Sequence, residues 1–182
     1  MSKAGLTRYA AFMRALNVGG HVVKMDLLKS IFVKLGHKNV ESFIASGNIV
    51  FESSSRSGAA LEKKISEALK SALGYEVASF LRTAAELSEI AAYTPFKGID
   101  DGPTYVVGFL AAPLDAATTK KLMALRSKAD RIHVCGREFW WYSDNRQSEP
   151  TFTTAVMERT LGQRTTLRNL RTVRKMAAKW GS

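Results

Sequence analysis

Apolar residues recur along the chain at two spacings, and the order of those spacings repeats. Tyr9, Ala10, Ala11, Phe12 and Met13 stand at consecutive positions, which predicts a strand over 9–16 buried on both faces. A loop, Asn17-Val18-Gly19-Gly20-His21, follows. Leu28, Ile31, Phe32 and Leu35 then fall at helical spacing, and Gly36 stands where a helix C-cap belongs. Residues 40–45 and 49–52 predict two strands. Ser46-Gly47-Asn48 joins them, and Gly and Asn tolerate the positive φ of a tight hairpin. Leu61, Ile65, Leu69 and Leu73 mark a second helix that ends at Gly74, and residues 76–82 a short strand. Thr83-Ala84-Ala85-Glu86 reads as a capping box before a helix that buries Leu87, Ile90 and Ala91.

Pro95 and the polar, glycine-containing run 97–103 predict a linker. After it the order begins again. Residues 104–111 predict an apolar strand, and Pro113-Leu114-Asp115 leads into a helix with Leu122, Met123 and Leu125. Residues 131–135 and 138–143 predict a hairpin around Gly136-Arg137. Pro150 is expected to open a helix carrying Phe152, Val156 and Leu161 that stops at Gly162. Residues 164–168 predict a strand. Asn169 is placed to cap a last helix with Leu170, Val173, Ala177 and Trp180 on one face.

Each half thus reads β-α-β-β-α-β-α, whose first six elements have the split β-α-β order of a ferredoxin-like unit. The fold class expected is α+β: two ferredoxin-like subdomains, 1–98 and 99–182, each with a four-stranded antiparallel sheet and an extra helix. With helices on one face of each sheet, the other face is either packed or open to a ligand.

Composition narrows the class. The chain has 182 residues, 46% hydrophobic and 24% charged, as in ordinary globular proteins. No apolar run is long enough to cross a bilayer, and the first residues lack a signal-peptide pattern. A single cysteine, Cys135, cannot form an internal disulfide. A cytoplasmic protein is therefore expected. Lys and Arg number 27 against 16 Asp and Glu, a net charge of +11. No acidic residue follows Glu158, whereas Arg159, Arg164, Arg168, Arg171, Arg174, Lys175 and Lys179 do. Such one-sided charge attracts nucleic acid, phosphorylated metabolites or acidic proteins, unless it is only a solvated helix face.

Four stretches carry candidate chemistry. Arg14-Ala15-Leu16-Asn17-Val18-Gly19-Gly20 takes a strand end into a Gly-Gly loop, where backbone amides can approach an anion and Arg14 can offer a fork of donors. No Gly-Lys-Ser/Thr follows, and the glycines are adjacent, so it is neither a Walker A loop nor a dinucleotide fingerprint. Ser46-Gly47-Asn48 is a turn whose position brings it to the same rim, because the first and third strands of a split β-α-β unit are central. Arg168-Asn169, with Arg171, Arg174 and Lys175 beyond, puts cations at a helix start. Phe139-Trp140-Trp141-Tyr142 alternates across a strand, so one pair is core and the other either packs or forms a base-stacking platform. His21, His37 and His133 are scattered, Cys135 reads as a packed thiol, and no metal, cofactor or catalytic pattern is recognised.

Taken in order, Arg14-Ala15-Leu16-Asn17-Val18-Gly19-Gly20, Lys24-Met25, Ser46-Gly47-Asn48-Ile49-Val50-Phe51, and Thr166-Leu167-Arg168-Asn169 with Thr172 and Lys175 resemble the bacterial domain-of-unknown-function family 1697. The Arg82-Thr83 strand end and the Glu158 to Gly162 helix end share in the likeness. It implies the two-subdomain fold and no established activity. The family usually has Gly and Ile where Ala15 and Leu16 stand, a Ser-Lys-Leu-Thr helix start where this chain has Pro150-Thr151-Phe152-Thr153, and Trp in place of Leu170.

Three functions follow from these residues. The first is a non-catalytic protein that binds an anion, with nucleic acid favoured. The second is an enzyme or binder for a phosphorylated or acidic small molecule, held by Arg14, Asn17, Gly19, Gly20, Ser46, Asn48, Arg168, Asn169 and Lys175, with His21 the nominee for a base. The third is that the polar motifs only hold the fold.

Overall fold

A computed structural model describes residues 5–17, 19–44, 47–102, 104–144 and 153–181. Val18, Ser46, Pro103, Pro150, Thr151 and Phe152, all named from the sequence, lie outside the described residues. The elements run β1 (Thr7–Arg14), α1 (Met25–Lys34), β2 (Lys38–Ser42), β3 (Asn48–Ser53), α2 (Gly58–Leu73), β4 (Ala78–Thr83) and α3 (Ala84–Ala92). They continue β5 (Thr104–Phe109), α4 (Ala116–Met123), β6 (Asp130–Cys135), β7 (Glu138–Ser143), α5 (Thr154–Leu161), β8 (Thr166–Asn169) and α6 (Leu170–Trp180).

The strands form two four-stranded antiparallel sheets, ordered β2-β3-β1-β4 and β6-β7-β5-β8. In each, the first and third strands of the half are central, as the split β-α-β order requires. The fold is α+β, with two ferredoxin-like halves. Two compact units result: Met1–Ser88 with Met176–Ser182, and Glu89–Lys175. The division falls inside α3 and inside α6.

In the first unit, Tyr9, Ala11, Met13, Ile49, Phe51 and Leu81 project from one sheet face onto Leu28, Ile31 and Phe32 of α1 and Leu61, Ile65 and Leu69 of α2. Ser57 caps α2 by accepting from the Ala60 amide, and Gly74 ends it at φ +81°. The capping box of α3 is reciprocal: the Thr83 amide donates to Glu86 and the Glu86 amide to Thr83 Oγ1. In the second unit, Ile132, Phe139 and Trp141 pack with Leu122 of α4 and with Met157 and Leu161 of α5.

The opposite sheet faces are also buried. Ala10, Phe12, Val50 and Phe80 occupy one, and Tyr105, Val107, Phe109 and Trp140 the other. Neither sheet keeps a bare face among these residues, so the open-face alternative is set aside.

Two sequence expectations shift. Helix α5 starts at Thr154 with Thr153 as its cap, whose hydroxyl accepts the Val156 amide; a hydroxyl acceptor satisfies an otherwise unpaired helix amide. Cys135 is exposed rather than packed, because it ends the edge strand β6 just before the Gly136 turn.

Candidate functional site

In the first unit the end of β1 and the turn before β3 do meet. Phe12 lies opposite Asn48, and the Met13 amide donates to the Gly47 carbonyl at 2.9 Å. Gly47 has φ +73°, and a Cβ there would lie 3.1 Å from Met13 Cβ and 3.2 Å from Leu16 Cδ2. Glycine is therefore needed at this turn on two counts, conformation and space.

Asn17 and Asn48 of that rim are occupied by the fold. Asn17 Oδ1 accepts the Val23 amide at 3.0 Å and so closes the Gly-Gly loop. Asn48 is fully buried and donates from Nδ2 to the Phe43 carbonyl at 3.0 Å. The Leu16 carbonyl accepts from the Tyr75 hydroxyl at 2.5 Å, and the Tyr75 ring stacks on His21 at 5.2 Å. Arg14 ends β1 opposite Ala78 with its side chain half-buried. Gly19 and Gly20 are exposed, at φ +60° and +82°. Ala15 has φ +59°, a left-handed conformation that strains any residue with a Cβ.

In the second unit Arg168 lies in β8 opposite Val107. Its Nη1 donates to Thr166 Oγ1 at 2.7 Å and to the Leu167 carbonyl at 2.9 Å. Burial pushes its pKa down to about 10. Asn169 Oδ1 accepts the Arg171 amide at 2.9 Å, the capping role expected of it. Arg171 pairs with Asp101, which the guanidinium holds below the usual carboxylate range. Arg174 donates to the Asp100 carbonyl at 2.6 Å and the Ala91 carbonyl at 3.3 Å. Lys175 is exposed.

Further along α6, within the first unit, Lys179 pairs with Glu41 at 3.1 Å, and Trp180 Nε1 donates to the same carboxylate at 3.3 Å. Much of the basic tail is thus answered by carboxylates and carbonyls. A cation already paired with a carboxylate offers less to an incoming phosphate.

The aromatic strand is not an open platform. Trp140 is 2% exposed, its ring against Tyr93 at 4.7 Å, while Tyr142 meets Phe96 and Tyr105. Base stacking needs a free ring face, and Trp140 presents none.

One cationic surface escaped the sequence reading. Residues 120–131 hold Lys120, Lys121, Arg126, Lys128 and Arg131, all exposed, against one acid, Asp130. Asp130 is buried and turned inward, accepting from Trp141 Nε1 at 3.0 Å and from Ser127 at 2.6 Å. Lys120 and Lys121 stand on the outer side of α4, away from buried Leu122. Arg159 is exposed on α5, which packs beside α4. Neighbouring Glu158 is taken up by the Thr165 amide at 3.0 Å. Exposed Asp115 caps α4 near Lys121, and exposed Asp144 bonds through its amide to the Ala129 carbonyl beside Lys128. By contrast, Lys63 and Lys70 on α2 are paired with Glu67 and Glu76. Five cations against one acid in twelve residues is a signal the sequence did carry.

Among the described residues no group of three or more His, Cys, Asp or Glu side chains is placed to hold a metal ion, and no helix is long and apolar enough to cross a membrane.

A solved structure described as that of the conserved bacterial protein SP0830 from Streptococcus pneumoniae is similar to this chain. It shows a TM-score of 0.72 and 24% identity over 96% of this chain and 98% of that one, which establishes a common fold. No curated protein sequence matches. The family model described as "Protein of unknown function (DUF1697)" matches residues 6–140, in agreement with the motifs from Arg14 to Phe51, and the chain belongs to that family.

Proposed function

We propose that this protein binds nucleic acid as a non-catalytic partner, through the cationic outer side of α4 and α5 in the second unit. The motif asparagines and Arg168 then serve the fold, since a polar atom of each is already bonded within it. One observation carries the reading. Lys120, Lys121, Arg126, Lys128 and Arg159 are exposed while Asp130 and Glu158 bond within the protein, which gathers five cations where the exposed carboxylates described nearby are Asp115 and Asp144.

Nucleic acid is favoured over a protein partner because the described residues of α4 and α5 show no apolar anchor. Among the described residues the exposed large hydrophobics are Leu6, Val22, Leu27, Val33, Ile44 and Tyr93, none of them on α4 or α5. Protein interfaces depend on a desolvated apolar centre, whereas phosphate backbones are held by charge alone.

Fluorescence anisotropy with labelled duplex DNA and single-stranded RNA at two salt concentrations tests this. Affinity should fall steeply with salt, and Lys120→Ala with Lys121→Ala should lower the logarithmic salt slope by about 1 for each phosphate no longer neutralised. Affinity equal to that of an unrelated protein of the same charge, or unchanged in the double variant, would reject it.

A further inference from the structure

A second site lies in the first unit and goes beyond nucleic-acid binding. A cavity of about 340 Å³ opens between the start of β2, the end of β3 and the first turns of α2. Its polar lining is His37, Lys38, Lys64 and the serines Ser53, Ser54 and Ser55; no lining residue is acidic. The volume falls within the ordinary range for small-molecule pockets.

His37 distinguishes this cavity from a chance depression. It is only 6% exposed, its ring rests against Phe51 at 4.5 Å, and its buried Nε2 has no hydrogen-bond partner. A buried polar atom without a partner costs free energy of order 1–3 kcal/mol, so such atoms are rare unless something else meets them. Glu52, opposite Lys38 on the neighbouring strand, accepts from Arg8 and Asn39.

The surroundings specify the missing partner. Lys38 and Lys64 are exposed at the rim and carry positive charge. Ser53 Oγ accepts the Ser55 amide and Ser55 Oγ the Ser57 amide, which leaves both hydroxyl protons to donate. Ala60, in the first turn of α2, also lines the cavity, placing it at the positive end of that helix. Two lysines, serine hydroxyls and an imidazole N–H are all donors, and a tetrahedral dianion accepts from each.

We propose that this cavity binds the phosphoryl group of a small phosphomonoester, with the His37 ring turning to bring Nε2–H to one phosphate oxygen and Lys38 and Lys64 balancing its charge. Phosphate is chosen over carboxylate because two lysines and several donors on different sides suit a dianion with three terminal oxygens.

The test uses the full chain with inorganic phosphate and glycerol 3-phosphate as probes, and chloride at matched ionic strength as control. NMR follows the His37 ring signal, identified by its loss in His37→Gln. Saturable movement of that signal with both probes, and not with chloride, is expected. Lys64→Ala removes an exposed side chain and should weaken binding at least about fivefold while leaving the probe-free melting temperature nearly unchanged. A His37 signal that ignores both probes, that moves equally with chloride, or that responds with undiminished affinity in Lys64→Ala overturns the proposal. Nucleic-acid binding by α4 and α5 variants reads the other surface, so either proposal can fail alone.

Discussion

Asn17 Oδ1 accepts the backbone amide of Val23 at 3.0 Å, and this bond spans the whole Gly-Gly loop. The side chain is thereby committed to the backbone six residues on. Asn17→Ala should destabilise the protein by about 1 kcal/mol, the usual worth of one part-buried hydrogen bond. Urea denaturation checks the value. Nucleic-acid affinity in the same variant should stay at the parent level; a loss of binding without a loss of stability would return the loop to the ligand.

That bond also marks how far the sequence can be read. Strand order, the reciprocal capping of α3 by Thr83 and Glu86, and the left-handed ends at Gly74 and Gly162 follow from local residue types and spacing, and all are present. What a polar side chain bonds to is set by packing at long range. Arg171 and Asp101 are 70 residues apart, and Lys179 and Glu41 are 138 apart, so a tail read as free charge is largely paired. His37 reads locally as a histidine at a helix exit. It is buried against Phe51 and feels the charge of Lys64, both from later elements, which no local pattern reveals.

Ala15 stands in a left-handed conformation at φ +59°. A Cβ in that region costs of order 1 kcal/mol, and glycine removes the strain at a smaller entropic cost. Ala15→Gly should raise stability by about 0.5 kcal/mol, read as a higher urea midpoint at unchanged slope. A lower midpoint would mean the chain does not hold this conformation in solution.

Gly108 of β5 lies opposite Phe139 of β7, and a Cβ there would come within 2.1 Å of the Phe139 ring. The ring cannot move aside freely, because Phe139 is fully buried in the core beneath α4 and α5. Gly108→Ala should cost about 3 kcal/mol or prevent folding, as overpacking in a filled core does. Gly108→Ala combined with Phe139→Leu should recover part of the loss, and additive effects in that pair would argue against a clash between them.

Asp130 tests the inward turn of the one acid among the cations of residues 120–131. Burial pushes its carboxyl up, but hydrogen bonds from Ser127, Ser143 and Trp141 together hold it below its ordinary value. Asp130→Asn keeps the shape but replaces a charged acceptor, and should cost about 2 kcal/mol. The parent's advantage is fully present above the unfolded carboxylate value of about 3.9 and is lost as pH falls through the lower folded value. Urea midpoints of parent and variant should therefore converge in acid. A gap that stays constant into that range would remove the charge from the account.

His37 gives the opposite chemistry and the same sign. Burial first, and the charge of Lys64 second, hold its imidazole below the usual histidine value. The unfolded chain, with a histidine pKa of about 6.5, then binds a proton more readily than the folded one. The contribution of His37 is full above about 6.5 and is lost as pH falls from there through the folded value. His37→Gln cannot titrate, so its stability should fall less between about pH 7.5 and pH 5 than the parent's does. The comparison is made by urea denaturation in phosphate-free buffer. Added phosphate, if it occupies the cavity beside Lys38 and Lys64, supplies a negative charge that favours the imidazolium and should flatten the parent's acid slope without altering the variant's. Parallel slopes for parent and variant in both buffers would show that His37 does not titrate differently on folding.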